Sequence, residues 1–222
     1  MRAYVGQTRD PDLIALLNRH GIGECAVRGT LPPKRTPWFY DNGCFVDWRN
    51  GAAFNTVQFT RDLRRITYWP ARGQMTKPDF LVLPDLVAAG NQSLACSLEW
   101  LDDPQLPDVP RYLAVQDGMW PDTLRDMAGD RLQRLGGIFV GGTLQWKLHT
   151  AKSWVAFAHR LGLPAHIGRC GTEARVEWAT RIKADSIDSS LPLWSADQMR
   201  VFLAAVSTDH CPSGRVNQLE LW

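Results

Sequence analysis

The sequence predicts an α/β protein built as a single (β/α)8 TIM barrel, with one or more crossover helices replaced by loops. Three observations point there. About eight short apolar runs are spread along the chain, the number of strands such a barrel requires. They alternate with longer segments whose apolar residues recur at helical spacing, the pattern of a parallel sheet with crossover helices. The chain has 222 residues, 45% hydrophobic and 22% charged. That is enough for one substantial core, and barrels of this size form a single domain. Residues 1–222 are therefore expected to be one domain, with no internal repeat, low-complexity tract or linker.

In chain order, the strands are read at Ala3–Val5, Cys25–Val27, Trp38–Tyr40, Phe80–Leu83, Tyr112–Val115, Ile138–Val140, His166–Ile167 and Ser186–Ile187. Helical spacing marks Pro11–His20, Asn55–Trp69, Asn91–Trp100, Pro121–Leu135, Leu144–Leu161, Thr172–Ile182 and Ala196–Val206. Thr172 before Glu173 reads as a helix start, and Gly162 with Pro164 closes the preceding helix. Between Gly29 and Pro37 the prolines at 32, 33 and 37 exclude an ordinary helix, because proline lacks the donor and clashes with the previous turn. Gly73–Pro78 and Asp102–Pro110 read as surface connections. Thr208–Trp222 has no assignment.

The chain has no run approaching the roughly 18 apolar residues of a membrane span, and its first residues lack the apolar stretch of a signal peptide. A soluble, intracellular protein is expected. Five cysteines without a CxxC pair indicate neither a disulfide framework nor a sequence-local zinc site. A net charge of +2 does not by itself mark a nucleic-acid binder. Basic clusters at Arg28, Lys34 and Arg35, and at Arg61, Arg64 and Arg65, suit either phosphates or a solvated face.

Two carboxylates stand where chemistry is expected. Asp188 ends a short apolar run just before a proline-containing loop. Asp41 ends the aromatic run Trp38-Phe39-Tyr40 at an Asn-Gly turn. In a barrel, Asp41, Asp85, Gln116, the Gly136-Gly137 pair, Gly168 and Asp188 would meet at the C-terminal face, where active sites form. A lone Asp after a strand is more often a turn former, so the case rests on the set. Among ten tryptophans, Trp100, Trp154 and Trp178 sit at helical positions and read as packing. His20, His149, His159 and His210 show no ligand spacing. His166 and Arg169 flank a strand end, where Arg169 suits a phosphate or an ion pair.

In sequence and order these blocks resemble the tRNA-guanine transglycosylase (queuine tRNA-ribosyltransferase) superfamily, most closely its compact phage-type deazapurine DNA transglycosylases. Asp41-Asn42-Gly43-Cys44-Phe45 is similar to the family's Asp-Ser-Gly-Gly-Phe. Pro84-Asp85-Leu86-Val87 is similar to Ser-Asp-Ile-Val, and Ala114-Val115-Gln116-Asp117-Gly118 to Ile-Val-Gln-Gly-Gly. Gly136-Gly137-Ile138-Phe139-Val140-Gly141 resembles Gly-Gly-Leu-Ala-Val-Gly. Ile167-Gly168-Arg169-Cys170-Gly171-Thr172 resembles Met-Gly-Val-Gly-Thr with one residue shifted. Asp185-Ser186-Ile187-Asp188-Ser189-Ser190-Leu191-Pro192 resembles Asp-Met-Phe-Asp-Cys-Val-Leu-Pro. The likeness runs from about Trp38 to Trp194.

The resemblance implies that Asp188 is the nucleophile and Asp41 the general acid/base. It also implies that Phe45 stacks on the base, that Asp85 and Gln116 bond the purine edge, and that Gly136, Gly137, Ile167 and Gly168 line the pocket. Arg169, Arg28, Lys34 and Arg35 are the expected nucleic-acid contacts. The implied reaction replaces guanine in DNA with a 7-deazaguanine derivative through a covalent glycosyl-aspartate. A target inside a duplex would have to be flipped out. Two departures shape the expectation. Only Cys211 remains of the family's zinc-binding cysteines, so no metal and no cofactor are expected. Gly142 stands where the family carries an acid for an aminomethyl-bearing base, which favours 7-cyano-7-deazaguanine. The expected partners are DNA and the deazaguanine base, with a homodimer or an accessory protein left open, and the expected location is the cytoplasm, that of the host if the chain is phage-encoded. A compact tRNA-guanine transglycosylase acting on tRNA is the alternative, and a non-catalytic nucleic-acid-binding accessory protein is another.

Overall fold

Eight parallel strands close on themselves in sequence order, the last pairing with the first, as the sequence predicts. The computed structural model describes residues 1–30 and 37–207. The strands are β1 (Arg2–Gly6), β2 (Gly23–Val27), β3 (Trp38–Asp41), β4 (Leu81–Val82), β5 (Arg111–Val115), β6 (Gly137–Val140), β7 (Ala165–Ile167) and β8 (Ser186–Ser189). Around them lie α1 (Pro11–Arg19), α2 (Cys44–Arg49), α3 (Thr56–Tyr68), α4 (Asn91–Leu101), α5 (Pro121–Ala128), α6 (Leu144–Arg160), α7 (Glu173–Arg181) and α8 (Ala196–Ser207). Lys34, Arg35 and the tail from Thr208 lie outside the described residues. Among those described, no helix is long and apolar enough to cross a membrane.

The helix starts follow from local chemistry. Asp10 caps α1 by accepting from the amides of Asp12 (2.9 Å) and Leu13 (3.3 Å), with Pro11 at the first helical position. Asn55 caps α3 through the Gln58 amide, and Thr143 caps α6 through that of Trp146. Thr172 precedes α7 with extended backbone, but its side chain makes no cap bond. The predicted helix over Pro121–Leu135 is divided: α5 ends at Gly129, which has φ 53°, and a 3-10 turn continues over Gly129–Arg134. The six-residue α2, hidden in the sequence by its length, lies directly after the Asp41 turn.

Side chains alternate across each strand, and the two faces bury different residues. Outward-facing Trp38, Tyr40, Ile138, Ile167 and Ile187 join the helices in one large core. Inward-facing Tyr4, Phe39, Phe80, Tyr112 and Phe139 fill the barrel lumen. Phe80 stacks on Tyr112 at 3.9 Å and on Phe39 at 4.6 Å between centroids. Burying each such ring contributes about 1.5–3 kcal/mol. A Cβ on Gly137 would lie 2.4 Å from the Tyr112 ring, and one on Gly136 2.6 Å from Pro110. Gly137 makes room for this aromatic plug, and Gly136 for the chain at Pro110 and Arg111.

Candidate active site at the C-terminal mouth of the barrel

Above the plug, three carboxylates converge. Asp41 shares the inward face of β3 with Phe39, at the strand's last position. Its Oδ1 accepts from the Gly43 amide at 2.7 Å, and Oδ2 makes no hydrogen bond among the described residues. Burial raises the Asp41 carboxyl to about 6; the Gly43 bond opposes that rise, the charges of Asp188 and Asp85 add to it, and Arg28 opposes it. Burial also pushes up the Cys25 thiol on β2, with Asp41 and Asp188 both adding to the effect. The charges of the two acids are thus felt by one another and by Cys25 at this end of the barrel.

Asp188 is held from below and from the side. His166 Nε2 lies 3.0 Å from its Oδ1, and the Arg169 amide donates to the same oxygen at 3.3 Å. Because an ionised carboxylate only accepts, His166 is assigned the Nε2–H tautomer, with Nδ1 accepting from the Ser186 hydroxyl at 2.9 Å. The imidazole is fully buried, stacked on Phe139 at 4.7 Å. Asp188 Oδ2 is left without a hydrogen bond among the described residues. One oxygen is thus clamped and the other is available. The clamp includes backbone strain: Arg169 has φ 62°, costing a non-glycine residue roughly 1–2 kcal/mol. Lys147, 2% exposed, donates to the Gly168 carbonyl beside this turn. Burial lowers its amine to about 8. A Cβ on Gly168 would meet Phe139 at 3.1 Å and Asp188 Oδ1 at 3.4 Å, so Gly168 lies close against the Asp188 carboxylate.

Asp85 follows β4, and burial raises its carboxyl against hydrogen bonds from Asn42, Cys44 and Gln116. Asn42, 4% exposed, ties the turns after β3 and β4 together: its Nδ2 donates to Leu83 O (2.7 Å) and Asp85 Oδ1 (3.0 Å), and its Oδ1 accepts from the Cys44 amide (2.7 Å). At the rim, Phe45 on α2 is 42% exposed, and the Arg169 guanidinium lies 5.1 Å over its ring while donating to the Gly142 carbonyl. Arg169 and Phe45 therefore flank the opening together, beside exposed Trp48.

Several expected site residues are elsewhere. Gly136 and Gly137 lie at the N-terminal end of β6, against Pro110 and Tyr112, so they cannot floor a pocket at the opposite mouth. Ile167 points outward into the core between barrel and helices and is fully buried. Gln116 has its amide committed internally: Nε2 donates toward Leu86 O and Ser93 Oγ (both 2.9 Å) and Asp85 Oδ2 (3.2 Å), while Oε1 accepts from the Ala88 amide at 2.7 Å. It fixes Asp85 rather than offering a free edge to a ligand. Arg28 is spent on Asp47 at 2.6 Å and Asn42 O at 3.1 Å, lies over Phe54, and has a side chain only 9% exposed. It supports the Asp41 turn and is closed to phosphate. The sequence placed His166 at a strand end but gave it no partner, and Lys147 and Asn42 carried no signal of their own.

No protein-family model and no curated protein matches the chain. Among solved structures it is similar to RipC from Yersinia pestis, at 11% identity and a TM-score of 0.52 over 96% of each chain. It is also similar to a "Putative glycerophosphoryl diester phosphodiesterase" from Agrobacterium tumefaciens, at 10% identity and a TM-score of 0.45, over 78% of this chain and 57% of that one. The likeness to RipC is one of fold.

Proposed function

We propose that the protein is a base-exchange transglycosylase that replaces guanine in DNA with a 7-deazaguanine derivative. The observation that carries this reading is the unequal pair at the mouth: Asp188, clamped through one oxygen with the other free, and Asp41, whose carboxyl is raised to about 6. That is the division of labour glycosyl exchange needs. Asp188 Oδ2 attacks C1′ of the flipped nucleotide, the C1′–N9 bond breaks, and protonated Asp41 supplies the proton to the departing guanine. The incoming base then loses its N9 proton to the Asp41 carboxylate and attacks C1′, releasing Asp188. Exchange through a covalent intermediate conserves the glycosidic bond without hydrolysis. Asp85, steadied by Asn42 and Gln116, is the remaining reader of the purine edge, and Phe45 is the stacking platform. Incubation with labelled guanine and either duplex DNA or tRNA tests the reading: label is expected in DNA, label in tRNA alone would favour the alternative substrate, and label in neither would defeat the reaction.

His166 acts in this scheme as a positioning residue. His166→Phe keeps an aromatic ring in the stack but removes the donor to Asp188. The expected result is a kcat lower by about 10–100-fold with KM for DNA little changed. A wild-type kcat in this variant would remove the clamp from the account.

Base choice follows from the rim. A Cβ on Gly142, which has φ 75°, would lie 2.6 Å from Asp117 Oδ2, and Asp117 is committed to Thr143, accepting from its amide (2.7 Å) and hydroxyl (2.6 Å). An ammonium placed here would meet the Arg169 cation and find no free carboxylate, whereas a nitrile accepts a hydrogen bond from that guanidinium. The lost charge-assisted bond is worth about 1–3 kcal/mol. Incorporation of 7-cyano-7-deazaguanine is therefore expected to exceed that of the 7-aminomethyl base by about tenfold or more in parallel assays. Preference for the amine would show that an acid reaches it.

A further inference from the structure

Away from the mouth, one helix face concentrates positive charge. Arg125 pairs with Asp122 and Asp126, Arg131 and Arg134 with Asp102, Arg200 with Asp197, and Arg2 with Asp79, while the exposed Arg9, Arg19, Arg49, Arg160 and Arg181 have no acidic partner among the described residues but stand on separate elements. The segment from Thr56 to Arg72 carries four arginines against one aspartate, and that aspartate, Asp62, is fully buried, bonded to Gly29 N, Tyr40 Oη and Gln58, and paired with Arg65 at 3.5 Å. Arg61, Arg64 and Arg72 are exposed and have no hydrogen-bond or ion-pair partner among the described residues. With Arg65, Tyr68 and Trp69 they line an open groove containing no acidic side chain. Arg65 lies 5.1 Å over the Trp69 ring, and Tyr68 is 60% exposed.

We infer that this groove along α3 is a docking track for the phosphodiester backbone of duplex DNA. Charge complementarity carries the inference: the three unpaired guanidiniums of Arg61, Arg64 and Arg72 beside the exposed Tyr68 ring bind a polyanion bidentately and gain by releasing its counterions. At about 1.5 Å per residue the helical part of the track, from Arg61 to Tyr68, is roughly 10 Å long, enough to follow about three phosphates spaced about 3.4 Å along one strand. Beside its upper end the Gly29 amide, just past the end of β2, bonds Asp62 at 2.6 Å, so the track begins on the side of the barrel where Asp41 and Asp188 lie. The choice of DNA rests on the proposed function, while the groove itself does not.

The test measures binding without turnover. Fluorescence anisotropy with a labelled duplex compares the wild type, the triple variant Arg61→Gln/Arg64→Gln/Arg72→Gln, and a control triple Arg19→Gln/Arg160→Gln/Arg181→Gln that removes the same charge from α1, α6 and α7. All six positions are exposed, so folding is expected to survive in both, with circular dichroism as the check. The groove variant is expected to bind at least about tenfold more weakly than the control, with a log–log salt slope reduced by about 2–3. Equal affinities and slopes for the two triples would overturn the track, and so would wild-type binding of an RNA hairpin with none of the duplex. Guanine exchange assayed on the same preparations separates the two claims. Groove-dependent binding without wild-type exchange keeps the track and loses the transglycosylase. Wild-type exchange with groove-independent binding does the reverse.

Discussion

Asp188→Asn is expected to reduce base exchange by at least about 10⁴-fold while leaving the fold intact. Asparagine retains an oxygen that accepts from His166 and from the Arg169 amide, so the clamp on Oδ1 survives. The other oxygen is replaced by a neutral amide, and no lone pair of comparable strength faces C1′. The side chain contributes little to the core: it is 16% exposed, above the aromatic plug rather than within it. Single-turnover exchange together with thermal unfolding checks both halves. Exchange at the wild-type rate would remove Asp188 from the mechanism, and loss of exchange accompanied by unfolding would leave its chemistry undemonstrated, in which case Asp188→Ser provides the second substitution.

Asp41→Asn is expected to move activity and stability in opposite directions. Losing the proton donor and acceptor costs about 10²–10⁴-fold in rate. Stability should rise at neutral pH, for the following reason. The folded-state pKa is about 6, raised from 3.8 chiefly by burial. Below about 4 the carboxyl is protonated in both folded and unfolded chains. As pH rises through about 4 to 6, the unfolded chain ionises first, and wild-type stability falls until the folded carboxyl ionises as well. Asparagine never ionises, so the variant escapes that loss and gains about 1–3 kcal/mol at pH 7–8, after allowance for solvent screening. The wild-type glycosylation step should likewise slow as pH rises above about 6 and the acid form is depleted. Chemical denaturation at pH 4 and 7.5, paired with rapid-quench kinetics, reads both effects. A variant equally destabilised at the two pH values would mean that Asp41 is not buried against its neighbours' charge.

The barrel was legible because its strands are short, apolar and separated by helices with the other period. The eight predicted strands each overlap an observed one, and the division of Pro121–Leu135 turned on a single glycine whose φ the pattern does not reveal. The carboxylates were legible for a related reason: Asp41 and Asp188 fall at the ends of their strands, and strand direction in a parallel barrel sends all such ends to one face. The same rule, applied to Gly136 and Gly137, places them at the opposite face, since they stand before the core of their strand rather than after it. Their glycine character answers to Tyr112 and Pro110. Ile167 was lost to parity, because neighbours on a strand face opposite ways and His166 already holds the inward position. Gln116 and Arg28 illustrate a harder limit. Both have side chains suited to a ligand, but their hydrogen bonds are consumed by Asp85, Ala88, Asp47 and Asn42, and such satisfaction arises only from contacts between residues distant in sequence. His166, which proved to be the partner of Asp188, was obscured for the same reason.

The central claim is that Asp188 forms the covalent bond while Asp41 handles the proton. Its most direct measurement is peptide mapping of a trapped protein–DNA intermediate. Enzyme mixed with duplex DNA in the absence of free base is quenched in denaturant, digested with nuclease and protease, and analysed by mass spectrometry. The expected result is a deoxyribosyl-bearing peptide spanning Ala184–Trp194 with the modification on Asp188, absent from Asp188→Asn and still formed, more slowly, in Asp41→Asn. An adduct mapped to Asp41, Asp85 or any other residue would contradict the account.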